Sequence, residues 1–175
     1  QAGRAHTLAL GEGIAHGVNL GVALGVALAL DVEVPALESR LAALPRAAHR
    51  AEVQDTGAGL LVIDDTYNAN PVGSHAALAE AATHASARGG RLVLVTPGMV
   101  ELGHVQHRRN ADFGAAAAAL GAHVVVVGRT NRAALVEGGV SGGGTYDLTD
   151  RREQAVAVAT QVVGTQGVIL YENDL

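Results

Sequence analysis

The chain has 175 residues, room for one domain of ordinary size and a fragment of a neighbour. Its hydrophobic fraction of 49% is ample for a core, yet only 2% is aromatic, so that core must be built from Ala, Val and Leu in closely spaced layers. A net charge of −5 without basic patches argues against nucleic acid as a partner, and the lack of cysteine excludes disulfides and thiolate metal sites and is consistent with a cytoplasmic protein.

The amino-terminal stretch predicts a strand at 6–10, a loop at 11–17, a helix at 19–30 and a second helix from Pro35 to Leu44. The apolar run at 18–30 is too short to span a bilayer and is closed by Asp31, so it reads as a buried helix. No positively charged segment precedes it, which argues against a signal peptide. Two helices and a strand are too little to fold alone and fit the tail of a preceding domain. The two chain ends, at Gln1 and just after an apolar run at Leu175, read as cut. The pattern changes near Asp55, giving expected domains at 1–54 and 55–175.

Beyond that point short apolar runs alternate with helical periodicity. Leu60-Leu61-Val62-Ile63, Leu92-Val93-Leu94-Val95, Val124-Val125-Val126-Val127, Thr145-Tyr146-Asp147-Leu148 and Val168-Ile169-Leu170-Tyr171 read as strands. Helices are predicted at 74–88, stopped by Gly89-Gly90, then at 106–120, 131–137 and up to Val163, the last capped by Thr149 or Asp150. Residues 138–144 read as a flexible glycine-rich loop. Such alternation implies βαβ units: an α/β doubly wound domain with a mostly parallel sheet covered by helices on both faces. Ligands of such sheets sit beyond the carboxyl ends of the strands, which singles out 64–71, 96–103, 128–131 and 172–174.

Lysine is absent, all twelve basic residues being arginine. A G-x-x-x-x-G-K-[ST] phosphate loop is therefore impossible within this chain, and any nucleotide chemistry needs residues outside it. The most informative segment is Asp64-Asp65-Thr66-Tyr67-Asn68-Ala69-Asn70-Pro71. Carboxylates and amides at a strand end are costly to bury. An Asp in that place can accept hydrogen bonds from a ribose hydroxyl or help hold Mg²⁺ through water; the plainer reading is a capping turn before a helix.

This octapeptide resembles the D-D-S-Y-N-A-N-P signature of the Mur ligases, in the branch that adds D-alanyl-D-alanine to a UDP-muramoyl tripeptide, with Thr66 for Ser. Met99-Val100-Glu101-Leu102-Gly103 resembles the second signature, G-D-M-x-E-L-G, without its Asp. His16-Gly17-Val18-Asn19 is similar to H-N-x-x-N with one residue missing, and His49-Arg50 stands where that family has Gly-Arg. The resemblance implies a three-domain enzyme, of which this chain supplies the end of the central ATP-binding domain and most of a Rossmann-like carboxy-terminal domain. The amino-terminal and most of the central domain are then missing. The implied activity is ATP-dependent, with Mg²⁺: a carboxylate of a UDP-linked muramoyl peptide is activated as an acyl phosphate, and an amino acid or dipeptide attacks it. The fragment is expected to be inactive alone.

By position, the resemblance implies that Asn19 hydrogen-bonds the adenine edge, Arg50 contacts the ATP phosphates or ribose, and Asp65 holds the ribose hydroxyls. Asn68 and Asn70 face the acyl phosphate and incoming amino group, and Glu101 orients the incoming dipeptide. Each has a plainer competitor. Asn19 could be a helix N-cap, Arg50 a solvated arginine beside Arg46, and Glu101 a carboxylate at a helix start. Met99 reads as packing, and His104 and His107 as surface residues; no metal ligands are expected. Asn110 stands where the family often has His, and Tyr171-Glu172-Asn173-Asp174-Leu175 replaces the usual lysine-containing finish. Those departures leave open a paralogue acting on another amino acid or peptide. A dinucleotide-binding domain is disfavoured because no G-x-G-x-x-G follows the first strand, and a non-catalytic interaction domain because 64–71 is intact.

Overall fold

The structure, a computed structural model, describes residues 7–8, 17–44 and 51–174. The strand expected at 6–10 and the loop at 11–17 lie almost wholly outside those residues, as does Arg50. The chain forms two compact units, residues 1–47 and 48–175.

The first unit contributes α1 (Gly17–Ala29) and α2 (Val34–Ala42). Pro35 sits in the first turn of α2, where its missing N–H is harmless, and the helix buries Leu37 and Leu41. The expectation of a buried first helix is not met: α1 buries no residue, with Val18 82% and Val22 64% exposed. Apolar residues surround α1 on all sides, whereas α2 is its one helical neighbour among the described residues of this unit. One small helix cannot cover such a surface. No helix among the described residues is long and apolar enough to cross a membrane.

The second unit is a six-stranded sheet: β1 (Glu52–Asp55), β2 (Leu61–Asp65), β3 (Leu92–Thr96), β4 (His123–Val127), β5 (Thr145–Thr149) and β6 (Val168–Glu172). Their spatial order is β1-β2-β6-β3-β4-β5, and all pairs are parallel except β1 with β2. The intervening helices are α3 (Pro71–Arg88), α4 (Gln106–Ala119), α5 (Arg132–Ser141) and α6 (Arg152–Val163). The expected α/β architecture is therefore present. The family resemblance implies a strand after Arg50 as the last of the preceding domain, whereas β1 pairs with β2 in this sheet. The Glu-Val-Gln-Asp sequence of β1 carries no apolar pattern because it is an exposed edge strand, held by antiparallel pairing rather than burial. The compact unit accordingly starts at Ala48, with β1 inside it.

Alternation along each strand sorts the core into two layers. Leu61, Ile63, Leu92, Leu94, Val124, Val126, Val168 and Leu170 pack with α3, α4 and α5. Val93, Val95, Val125, Val127 and Ile169 pack with Ala155, Ala159 and Val163 of α6 on the other face. Central strands need apolar residues at every position for this, and β3 is buried throughout.

The glycine-rich segment 138–144 departs from expectation, because α5 continues through Gly138 and Gly139 to Ser141. A Cβ at Gly138 would collide with the backbone carbonyl of Ala111, and one at Gly114 with that of Leu135. These glycines let α4 and α5 touch backbone to backbone, and that contact offsets the poor helix propensity of glycine. Likewise α6 starts at Arg152 without a side-chain cap from Thr149 or Asp150. Asp150 is drawn away by Arg129 (2.9 Å) and Arg132 (2.7 Å).

The topology decides where strand ends meet. From β2 the chain steps through β3 and β4 to β5 in one direction, then returns by α6 and inserts β6 between β2 and β3. Helices leave β4 and β5 toward opposite faces, which opens the usual ligand crevice between them. Here Arg132 fills it, donating to the carbonyls of Gly128 (2.9 Å) and Thr149 (2.8 Å) as well as to Asp150. The polar groups left for a ligand gather at the ends of β2, β6 and β3.

Candidate functional site

Asp64 and Asp65 end β2 and point to opposite faces. The Asp64 Oδ1 accepts from the Thr66 N–H (3.1 Å) and Thr66 hydroxyl (2.6 Å), turning the chain out of the strand. Asp65 faces the α3 side, and its Oδ1 accepts from the Ala51 N–H at 3.0 Å, so part of its hydrogen-bonding capacity serves to tie down the chain before β1. Asn68 is exposed.

Asn70 is the N-cap of α3. Its backbone is extended (φ −141°, ψ 155°), its Oδ1 accepts from the Gly73 N–H (3.0 Å), and Pro71 opens the helix. The helix thus begins at Pro71 rather than Ser74, because Asn70 and Pro71 supply a better start. The capping reading and the ligand reading of Asn70 now divide between its atoms. Oδ1 holds the helix, while Nδ2, on an exposed side chain with no bond to another described residue, can donate outward. The first turn of α3 carries no acid, so its positive end faces this edge uncompensated.

Two strand spacings away, about 10 Å, the loop after β3 is held by amides from three elements. Asn110 of α4 accepts from the Met99 N–H (2.8 Å) and donates to the Met99 carbonyl (2.9 Å). Asn131, before α5, donates to the Pro97 carbonyl (3.0 Å) and accepts from Gln106 (2.9 Å). Asn173, after β6, donates to the Gly98 carbonyl (2.6 Å). Gly98 has φ +78°, and a Cβ there would strike Asn110 and Asn131. Met99 is packed in the core as expected. Glu101 stands exposed at φ 62°, a left-handed conformation that non-glycine residues adopt at a cost of ~1 kcal/mol. It precedes the 3₁₀ turn Gly103–Val105 and so lies outside the first turn of α4. A helix-start role for Glu101 is thereby weakened, and strain of this kind concentrates at functional positions.

Between the two loops lies a residue whose segment, 172–174, the sequence singles out without giving it a role. Glu172 ends β6, in register with Asp65, and is 1% exposed; neither carboxyl oxygen has a hydrogen-bond partner. Burial pushes its carboxyl up to about 7, with a further rise from the Asp65 charge and a partial offset from Ser74. The Ser74 hydroxyl is spent on the Asn70 carbonyl (2.8 Å), so it does not satisfy the acid. Asn110, Asn131 and Asn173 were also missed as a set: three asparagines far apart in sequence carry no local sign that they converge.

Asn19 lies in the other unit, exposed within α1, two residues past its start at Gly17. The N-cap reading therefore fails for it. Arg50 is outside the described residues. His104 and His107 are exposed, the latter 3.5 Å from Glu137. No group of three His, Asp or Glu able to hold a metal exists among the described residues. A cavity of about 250 Å³ is lined by Asp64, Thr66 and Tyr171 on the α6 face, and another of about 380 Å³ by Gly103, His104 and Asn131. Neither is lined by Asp65, Asn68 or Asn70; the two amides are exposed and Asp65 is half-buried.

Residues 49–171 match the family described as Mur ligase, glutamate ligase domain. The chain belongs to this family. The match covers β1 to β5, β6 as far as Tyr171, and the loops after β2 and β3. Among solved structures, the fold is similar to MurF from Acinetobacter baumannii at 27% identity and a TM-score of 0.65, covering 89% of this chain and 34% of that one. It is also similar to MurF from Thermotoga maritima, solved in complex with ADP, at 21% identity and a TM-score of 0.64, again with 89% and 34% coverage. A murein peptide ligase, mpl, from Psychrobacter arcticus 273-4 shares the fold at 16% identity and a TM-score of 0.66, over 87% of this chain and 32% of that one. This chain thus spans about a third of each of these proteins. No curated protein matches it by sequence.

Proposed function

We propose that this chain is the carboxy-terminal part of an ATP-dependent ligase that joins a carboxylate of a UDP-linked muramoyl peptide to an incoming amine. The supporting observation is the Asp65-to-Asn70 rim. In a Mur ligase domain it sets a half-buried acid, two exposed amides and the bare amino end of α3 together at the carboxyl end of β2. Exposed amides beside an acid and a helix amino end suit a nucleotide held by another module. ATP, when bound, supplies the phosphoryl group that activates the carboxylate. This chain's own residues then bind and orient: Asp65 accepts the ribose hydroxyls, and Asn68 and the Asn70 Nδ2 donate to the acyl phosphate and steer the amine. Glu101, on its clamped loop, orients the amino substrate. Asn19 and Arg50, in residues 1–54 as the end of the central domain, contact adenine and phosphate. The described residues do not by themselves fit a metal site, so no step is assigned to Mg²⁺ here. D-alanyl-D-alanine is the amino substrate on this reading. The alternative, a paralogue that ligates another amino acid or peptide, is favoured by the finish 171–175, which lacks the lysine usual in the D-alanyl-D-alanine branch, and by Asn110.

Asn70→Asp in the full-length protein separates the two roles of this residue, because it keeps the capping oxygen and removes the outward donor. Turnover should fall by about tenfold or more with stability unchanged within ~0.5 kcal/mol, and Asp65→Ala should raise the KM for ATP. Wild-type kinetics in both variants would refute the assignment.

A further inference from the structure

We infer that Glu172 is a positioning residue for the nucleotide edge: set in register beside Asp65, it governs the charge around Asp65 and acts on the bound ribose only through it. The inference rests on the ligase reading above. Its warrant is that an acid here serves no purpose in packing. The other residues of β6 on the same face, Val168 and Leu170, are apolar and fully buried, and an apolar residue at 172 would continue their layer. Instead a carboxyl is 1% exposed and both its oxygens lack a partner. A buried, unpaired carboxylate is so costly that the neutral form is favoured up to about pH 7.

The surroundings fix the sign of the effect. From β2, Asp65 faces Glu172; α3 contributes the Ser74 hydroxyl, and its His75 ring packs against Phe113 at 5.4 Å. From β3, Thr96 supplies a hydroxyl that accepts from the Gly98 N–H. Helix α6 lies on the other face, where Arg152 acts on Tyr171. Among the described residues, no cation is among the groups that shift the Glu172 carboxyl. Neutral, Glu172 leaves Asp65 free of a like charge on the adjacent strand. Ionised, it would put a second anion beside the carboxylate that must meet ribose and face a polyphosphate, and nucleotide affinity would fall.

The test is the KM for ATP and kcat of the full-length protein across about pH 6 to 8.5, for wild type, Glu172→Gln and Glu172→Leu. Taking the wild-type to variant ratio cancels the titration of ATP itself. The KM ratio should rise by about fivefold or more with pH while the kcat ratio stays level. Either variant removes the ionisation, and Leu matches the neighbouring apolar layer, so failure of the amide to fold does not disable the test. Parallel KM profiles in an active enzyme would overturn this inference and leave the ligase reading standing. Absence of nucleotide binding at every pH would overturn both.

Discussion

Asn110→Ala tests whether the loop bearing Glu101 is held by side-chain amides or merely follows from the end of β3. The Asn110 side chain is fully buried and makes three hydrogen bonds, two to the backbone of Met99 and one to the Gln106 carbonyl (2.9 Å). Truncation leaves the Met99 N–H and carbonyl without partners in a position where Met99 is 1% exposed. The Gln106 carbonyl keeps its intrahelical acceptor role. Each orphaned buried group costs ~1–3 kcal/mol, so the pair predicts a loss of about 3 kcal/mol. In urea unfolding followed by circular dichroism, that loss lowers the midpoint by roughly 1–2 M, given a slope of ~2 kcal/mol/M. Hydrogen exchange at the Met99 amide should accelerate by at least about a hundredfold. A midpoint within ~0.3 M of wild type together with an unchanged Met99 exchange rate would refute the clamp. A small midpoint change with fast Met99 exchange would instead show that the loop opens separately from the sheet.

Two further outcomes follow from the packing. Glu172 binds its proton more tightly folded than unfolded, since its value rises from 4.5 to about 7. Its contribution to stability is therefore fully present below about pH 4.5 and is lost as the pH rises toward 7, by about 3 kcal/mol in all. Glu172→Leu should abolish that slope in chemical denaturation at fixed pH steps, and a slope that persists in the variant would assign it to another group. Gly138→Ala forces α4 and α5 apart at Ala111 and should destabilise by ~2 kcal/mol or more, although alanine is the better helix former. Unchanged thermal unfolding would show that the helix contact is not as close as described.

Much of the fold could be read from local pattern. Four valines at 124–127 can hardly be anything but a central strand, and Asn70-Pro71 states a helix start in two residues, although the start was placed at Ser74. What pattern missed has one cause: residues whose state is set by a distant partner. β1 is a strand because β2 offers it an edge. Gly138 is helical because Ala111 lies against it. Helix α1, apolar on every side, was expected to be buried and is not, since hydrophobicity states a need for cover without saying whether it is met.

The same division runs through the site. The octapeptide 64–71 announces itself because its chemistry is local: acid, amides and a capped helix lie within eight consecutive residues. The Mur ligase resemblance starts from it, while the α/β class follows from the alternation of strands and helices along 55–175. The insertion of β6 between β2 and β3 is a matter of tertiary structure alone, because strand order depends on which sheet edge is open when the chain returns. That insertion buries Glu172 beside Asp65, 107 residues away in sequence but one strand away in space. It also brings Asn173 to the loop that Asn110 and Asn131 hold. Burial is a property of neighbours, and the neighbours of Glu172 are not written next to it.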